Sequence, residues 1–298
     1  MRNKRVIALG FFDGVHLGHG GLLSTARQRA SALGCTASAM TFDCHPGSVI
    51  SGRSIPLLTS QIDREYLIKS IYGLDEVLFI HFSRSMMEMP WQEFIDECLL
   101  RDLDVCHVIC GHDFRFGYRG EGSAELLRAH CAARGIGCDV IPEISLGGIP
   151  IHSTMIRTLL QRGETEEAAR FLGHPHCLSG RVVSGKRLGR TIGIPTANIR
   201  IPPTVLPLPT GVYATQVAFD GKRYAAVTNI GHCPTVSDGA PLTVEPWILD
   251  FEGDLYGKEI RIFFYKHLRG EQKFPSLEAL QAEIRRNADE TRAYFANH

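Results

Sequence analysis

Gly10-Phe11-Phe12-Asp13-Gly14-Val15-His16-Leu17-Gly18-His19 follows a short apolar run, Val6–Leu9, and opens a helical pattern. Glycines in such a turn let the backbone approach phosphate oxygens, and the helix start offers free N–H donors. His16 and His19, three residues apart, place two imidazoles on one face of the first turn, where together they can grip an oxyanion. The stretch therefore points to nucleotide chemistry, and its strand-turn-helix order is repeated down the first half of the chain.

Strands are expected at Arg5–Leu9, Thr36–Phe42, Glu76–Phe82, Cys106–Gly111 and Cys138–Ile141. Helical patterns lie between them, from Gly18 to Leu33, Ser60 to Ile71, Pro90 to Arg101 and Ser123 to Arg134, with Gly34, Gly73 and Gly135 as stop signals. Alternation at this pitch predicts an α/β doubly wound parallel sheet. Ligands of such sheets sit beyond the carboxyl ends of the strands, and His16, His19, Asp43, His45 and the Gly111–Gly117 turn all follow a predicted strand.

After Ile151 two short helices are expected, Ser153–Arg162 and Thr165–Leu172, and Gly173 is taken as the boundary between a domain of residues 1–173 and one of residues 174–298. Beyond it the sequence reads as an antiparallel β-barrel. Asp220-Gly221 joins strands at Gly211–Phe219 and Lys222–Asn229, and Gly253-Asp254 lies between Val244–Phe251 and Glu259–His267. Pro202–Pro209 reads as a loop, and a C-terminal helix near Ser276–Phe295 closes the chain.

A length of 298 residues agrees with two cores. Lysine plus arginine (32) balances aspartate plus glutamate (32), so no basic field for nucleic acid exists and small-molecule partners are favoured. Nine scattered cysteines without a C-x-x-C pair predict free thiols and a cytoplasmic protein. Asp13 ends the N-terminal apolar run, which is read as a buried strand rather than a signal segment, and no apolar stretch reaches the roughly 20 residues of a membrane span.

Other groups suit phosphate chemistry. Ser153, Thr154 and Arg157 open a helix, either as a cap and a surface arginine or as donors to a triphosphate. Gly185, Gly189 and Gly193 punctuate a basic loop with Lys186, Arg187 and Arg190 that ends in Pro195-Thr196-Ala197-Asn198; it lacks the Walker spacing and reads either as a hairpin loop or as a phosphate cover. His174, His176 and Cys177 lack a partner pair at metal-site spacing and read as structural.

Taken in order, GFFDGVHLGH (Gly10–His19), TFDCHP (Thr41–Pro46), GHDFRFG (Gly111–Gly117), STMIR (Ser153–Arg157), GKRLGRTIGIPTAN (Gly185–Asn198), TNIGHCPT (Thr228–Thr235) and DFEGDLYG (Asp250–Gly257) resemble, over nearly the whole chain, the prokaryotic bifunctional riboflavin kinase/FMN adenylyltransferase family. The first half also resembles the wider H-x-G-H nucleotidyltransferases. The resemblance implies phosphorylation of riboflavin to FMN by ATP and adenylylation of FMN to FAD, both with Mg2+, while the balanced charge and the lack of a long apolar stretch predict no nucleic-acid or membrane partner. It implies ATP contacts for the first domain at Gly10, Phe12, Asp13, Gly14, His16, His19, Asp113, Ser153, Thr154 and Arg157, and flavin contacts at Asp43, His45 and Phe114. For the second domain it implies ATP contacts at Gly185, Lys186, Gly189, Arg190, Thr196 and Asn198, with Thr196 and Asn198 on Mg2+ and Glu245 as the base. Flavin contacts there fall at Arg269, Glu271 and Phe274.

Some positions depart from the family pattern. His152 stands where a second serine is common, and Asn287 where an aspartate is. Pro246, next to Glu245, removes a ladder donor and suits an edge strand or bulge. Two alternatives follow: a chain whose kinase half is impaired, or a non-catalytic flavin-binding regulator.

Overall fold

The apolar run ahead of the glycine-rich turn is fully buried from Val6 to Leu9, as a strand covered on both faces must be. In the computed structural model, which describes residues 4–183, 193–232 and 242–297, this run is β1 (Arg5–Leu9), the centre of a five-stranded parallel sheet. With β2 (Thr36–Phe42), β3 (Glu76–Ile80), β4 (Val105–Gly111) and β5 (Gly137–Ile141) the order is β3-β2-β1-β4-β5. The chain steps outward from β1 to β3, then returns to the other side of β1 for β4 and β5. The order therefore reverses between β1 and β4, and the crevice at their carboxyl ends is where such sheets bind ligands.

Helix α1 (Leu17–Leu33) leaves β1 and stops at left-handed Gly34, whose N–H bonds to Ala30 O. Helix α2 (Gln61–Tyr72) precedes β3, and α3 (Ala124–Ala133) begins at Ser123, whose hydroxyl accepts from the Leu126 N–H. Two short helices, Pro46–Ser51 and Arg84–Glu88, had no signal in the periodicity. The helix expected from Pro90 to Arg101 is one α-turn, Trp91–Glu93, followed by a π-helix, Phe94–Asp102. Phe94 and Leu99 are both buried. Five residues apart, they share a face only when the helix widens, and the Leu103 N–H accordingly bonds to Cys98 O, five residues back. Strand β3 ends at Ile80, short of the expected Phe82, whose N–H donates to Asp43 Oδ1.

The chain divides into two compact units, Met1–Leu57 with Gln61–Ser153 and Leu58–Ser60 with Thr154–His298. Helix α4 (Ser153–Gln161) crosses that division. Helix α5 (Thr165–Leu172) belongs to the second unit, where Thr165 Oγ1 donates to Tyr265 O. Gly173, in the left-handed region, ends α5 and separates it from the first strand of the barrel.

That barrel is a six-stranded antiparallel sheet of β6 (His176–Arg181), β7 (Ile199–Arg200), β8 (Gly211–Phe219), β9 (Lys222–His232), β10 (Leu242–Ile248) and β11 (Glu259–Arg269), ordered β6-β11-β8-β9-β10-β7. Its two ends approach through a bridge in which the Val183 N–H bonds to Asn198 O, so the sheet nearly closes. Asp220 and Gly221, both at positive φ, make the tight turn between β8 and β9. Helix α6 (Leu277–Ala296) is capped by Ser276, and its Ala288 packs with Val212, Val227 and Leu249. Among the described residues no helix is long and apolar enough to cross a membrane.

Candidate functional site

Three residues of the first turn hold positive φ: Phe12 (52°), Gly14 (80°) and Val15 (46°). For a β-branched residue such as Val15 this is costly, on the order of 1–3 kcal/mol, and persists only where the surroundings enforce it. They do: Phe12, Asp13, Val15 and His16 are all buried, and the Val15 N–H closes the turn on Phe12 O at 3.0 Å.

The turn rests on a residue that the motif reading missed. Arg64, on α2, is completely buried, and its Nη1 donates to Phe11 O (3.1 Å), Thr41 Oγ1 (2.9 Å) and Phe42 O (2.8 Å). Its Nη2 lies 3.8 Å from Asp13 Oδ1, and the guanidinium sits over the Phe11 ring. One cation thus ties the carboxyl ends of β1 and β2 together. The available signal was an arginine at the core-facing position of a helix, in line with buried Leu67 and Ile68.

His16 is the N-cap of α1, and its ring stacks on His19 with centroids 3.6 Å apart and planes 17° from parallel. Phe12 meets His19 edge-on. Gly18 makes room for this: a Cβ there would lie 2.9 Å from His16 Nδ1 and 3.3 Å from Ile151 O. Burial, then His16, then Arg64 hold the His19 pKa well below the ordinary imidazole value. The surroundings of the His19 ring at the start of α1 therefore disfavour its positive charge.

The neighbouring strand ends complete this rim. Asp43 lies 2.7 Å from His81 Nδ1; partial burial would raise its pKa, but hydrogen bonds from His81, the Phe82 N–H and Cys44 together lower it. His45 caps the Pro46–Ser51 helix and packs edge-on against Phe11. Asp113 is exposed after β4 and folds back over Gly111, while Phe114 stacks on Phe116. Ser153 Oγ donates to Asp13 O (3.1 Å), joining the start of α4 to the turn. Thr154 and Arg157 lie on α4 beyond the unit division, Thr154 exposed and Arg157 half-buried. Exposed His152 lies beside Glu143.

In the second unit, β10 brings distant residues onto one face. Glu245 pairs with Asn229 of β9, and the Ile199–Val244 pair together with the Ala197 N–H to Pro246 O bond (3.0 Å) brackets Asn198 opposite Glu245 on the other side. Thr243 Oγ1 donates to Glu245 Oε1 (3.1 Å). A Cβ on Gly231 would lie 2.8 Å from Glu271 Oε1 and 3.2 Å from Asn229 Nδ2, so a second carboxylate hangs over the same patch. Thr196 sits two residues before Asn198. Asn229 and Thr243, which the fold brings beside Glu245, could not be singled out from the sequence because amide and hydroxyl side chains in strands carry no signal before the register is known.

Pro246 is in neither an edge strand nor a bulge. Strand β10 has neighbours on both sides, but Pro246 lies past the end of two-residue β7, and its carbonyl, accepting from Ala197, faces that side. Its missing N–H therefore falls on that same side, opposite Ala197 beyond the end of β7, and the pairing of Glu245 with Asn229 is kept. Arg269 Nε donates to Asn287 Oδ1 (3.1 Å) and pairs with Glu283 (3.2 Å), with its guanidinium over Phe274. Gly185, Lys186, Gly189 and Arg190 lie outside the described residues.

Residues 1–155 match the FAD synthetase family model, and residues 172–295 match the riboflavin kinase model. The bifunctional riboflavin kinase/FMN adenylyltransferase of Listeria monocytogenes is 36% identical over 295 residues, covering 98% of this chain and 93% of the relative. That of Bacillus subtilis is 35% identical over 298 residues, covering 99% and 93%. A solved structure described as a macrolide-efflux protein from Streptococcus pneumoniae superposes with a TM-score of 0.85 at 27% identity, covering 98% of this chain and 95% of that one.

Proposed function

The chain belongs to the bifunctional riboflavin kinase/FMN adenylyltransferase family, and from that premise we propose that it makes FMN from riboflavin and FAD from FMN, each at the expense of ATP. Residues 174–298 carry the first step and residues 1–173 the second. The observation that carries this reading is the stacked His16–His19 pair at the start of α1, beyond β1, where the sheet order reverses.

In the adenylyl step a phosphate oxygen of FMN attacks the α-phosphorus of ATP, and the bond to the departing pyrophosphate breaks. Negative charge grows on the α-phosphate and on the leaving group. His16, His19 and the free N–H groups of the first turn of α1 are donors positioned for that charge. The lowered basicity of His19 fits a ring whose interaction with an anion strengthens once the phosphate is bound. Arg64 does not touch the nucleotide; it fixes the turn from beneath. Ser153, Thr154 and Arg157 serve the triphosphate tail, and Asp43, His45 and Phe114 face the flavin side.

In the kinase step the riboflavin 5′-hydroxyl attacks the γ-phosphorus and ADP leaves. Glu245, held by Thr243, takes the hydroxyl proton. Asn198 and Asn229 flank it, and with Thr196 and the two carboxylates they form an oxygen-rich donor set suited to a hard cation. Mg2+ bound there through Thr196 and Asn198 would neutralise charge on the ATP phosphates. Arg269, braced by Asn287 and Glu283, and Phe274 beside it supply a flat surface for the flavin.

The impaired-kinase alternative rested on Pro246, which leaves the ladder beside Glu245 intact. A flavin-binding regulator needs neither a proton acceptor nor a phosphate clamp, and efflux gives no use for either. The test is a time course with riboflavin, ATP and Mg2+, resolved by chromatography. FMN should appear first and FAD after it; flavin bound without ATP consumption would overturn the proposal.

A further inference from the structure

At the amino ends of the parallel strands, on the opposite edge of the sheet from the histidine pair, two cysteines that the proposed chemistry does not use come into contact. The register between β1 and β4 slips after Arg5: Arg5 pairs with Val105 and Val6 with His107, which leaves Cys106 as the extra residue of a β-bulge. Its side chain is thereby turned across the start of β1. Cys106 Sγ lies 3.3 Å from Arg5 O and 3.4 Å from the Sγ of Cys35, the residue that joins α1 to β2. Strand β1 lies between β2 and β4 in the sheet, so without the bulge these thiols would have no reason to meet.

We propose that Cys35 and Cys106 form a reversible redox site, an intramolecular disulfide made by exchange with low-molecular-weight disulfides and undone by thiols. Both cysteines are half-buried, so a small disulfide can reach the pair. Cys110 and Cys131, by contrast, are fully enclosed in the apolar core of the same unit. Burial and the contact with Cys35 push the Cys106 thiol up to about 11, with Lys4 opposing, which leaves the first attack to Cys35.

The Cys35 thiolate attacks one sulfur of glutathione disulfide, breaking its S–S bond and releasing one glutathione thiolate, which takes up the Cys106 proton. The Cys106 thiolate then attacks Cys35 Sγ and releases the second glutathione. Two protein thiols lose two electrons, and one glutathione disulfide gains them. The new bond straps β4 to the chain entering β2 across the foot of β1. It constrains the unfolded chain between residues 35 and 106 and leaves the far edge, with its histidines, untouched.

The test uses the full chain equilibrated with defined mixtures of reduced and oxidised glutathione, then alkylated and mapped by peptide mass. The wild-type protein should yield a peptide pair linked through Cys35 and Cys106, lost on reduction, with a raised thermal midpoint in the oxidised form. Cys106→Ser should instead retain one glutathione on Cys35, because the resolving thiol is gone. Separate alkylation of Cys35 and Cys106 in the wild-type protein after oxidation would overturn the proposal, as would a persistent glutathione adduct on wild-type Cys35 or a link from Cys35 to another cysteine such as Cys44.

Discussion

Replacing Arg64 with glutamine removes a buried cation whose Nη1 serves Phe11 O, Thr41 Oγ1 and Phe42 O at 2.8–3.1 Å and whose charge faces Asp13. Each acceptor stranded in the interior costs about 1–3 kcal/mol, and glutamine, being shorter, recovers one bond at best. Removing one partner of a buried ion pair costs about 3–5 kcal/mol, and Arg64 lies against Asp13, itself 1% exposed. The two views describe the same loss, so the expected destabilisation is about 3–5 kcal/mol. That is a large part of the roughly 5–15 kcal/mol of a typical domain, but not all of it. Unfolding in urea gives the value. The two tryptophans, Trp91 and Trp247, fall one in each compact unit, so a Trp247→Phe background reports the first unit alone. In the folded fraction, FAD formation should drop by about 10²-fold, the scale expected when a catalytic turn moves by an ångström. Riboflavin phosphorylation, in the other unit, should persist. A loss of under about 1 kcal/mol with normal FAD formation would refute the idea that Arg64 holds the turn.

Other outcomes follow from the same geometry. The His19 pKa is lowered by folding, so the unfolded chain binds the proton more readily; stability should be intact above the unfolded value of about 6.5 and fall as pH drops below it. Urea midpoints of the first unit at pH 7.5 and 5.5 measure this, and His19→Asn should flatten the difference. Glu245→Gln should lower FMN formation by about 10²–10⁴-fold while FAD formation from supplied FMN continues; near-normal kinase turnover would remove Glu245 from the role of base. Gly18→Ala forces a methyl to within 2.9 Å of His16 Nδ1 and should displace that ring, lowering adenylyl transfer at unchanged helix content by circular dichroism.

The parallel sheet was readable because β1 and the strands around it are short runs alternating with helical stretches that glycines such as Gly34 bring to a stop, and local signals of that kind survive without tertiary information. The Phe94–Asp102 π-helix was not, since nothing marks a widened turn except the wish of Phe94 and Leu99 to share one side. His16 and His19 could be proposed from a motif that concentrates polar groups in adjacent residues, and Glu245 only from its position in the family resemblance. Arg64 and Asn229 escaped for the opposite reason. Each acts through partners far away in sequence, Arg64 on Phe11 and Asn229 beside Glu245, and such pairings exist only once helix packing and strand register are fixed. Pro246 shows the converse. A residue that looks disruptive in sequence is harmless where the neighbouring strand is only two residues long.

The proposed adenylyl chemistry centres on two imidazoles stacked 3.6 Å apart at the head of α1, and the direct measurement is a paired assay on one preparation of His16→Ala or His19→Ala. FAD formation from supplied FMN and ATP should fall by about 10²-fold or more, while FMN formation from riboflavin keeps its wild-type rate. Unchanged FAD formation, or equal loss of both activities, would show that the pair is scaffold and contradict its assignment to the reacting phosphates.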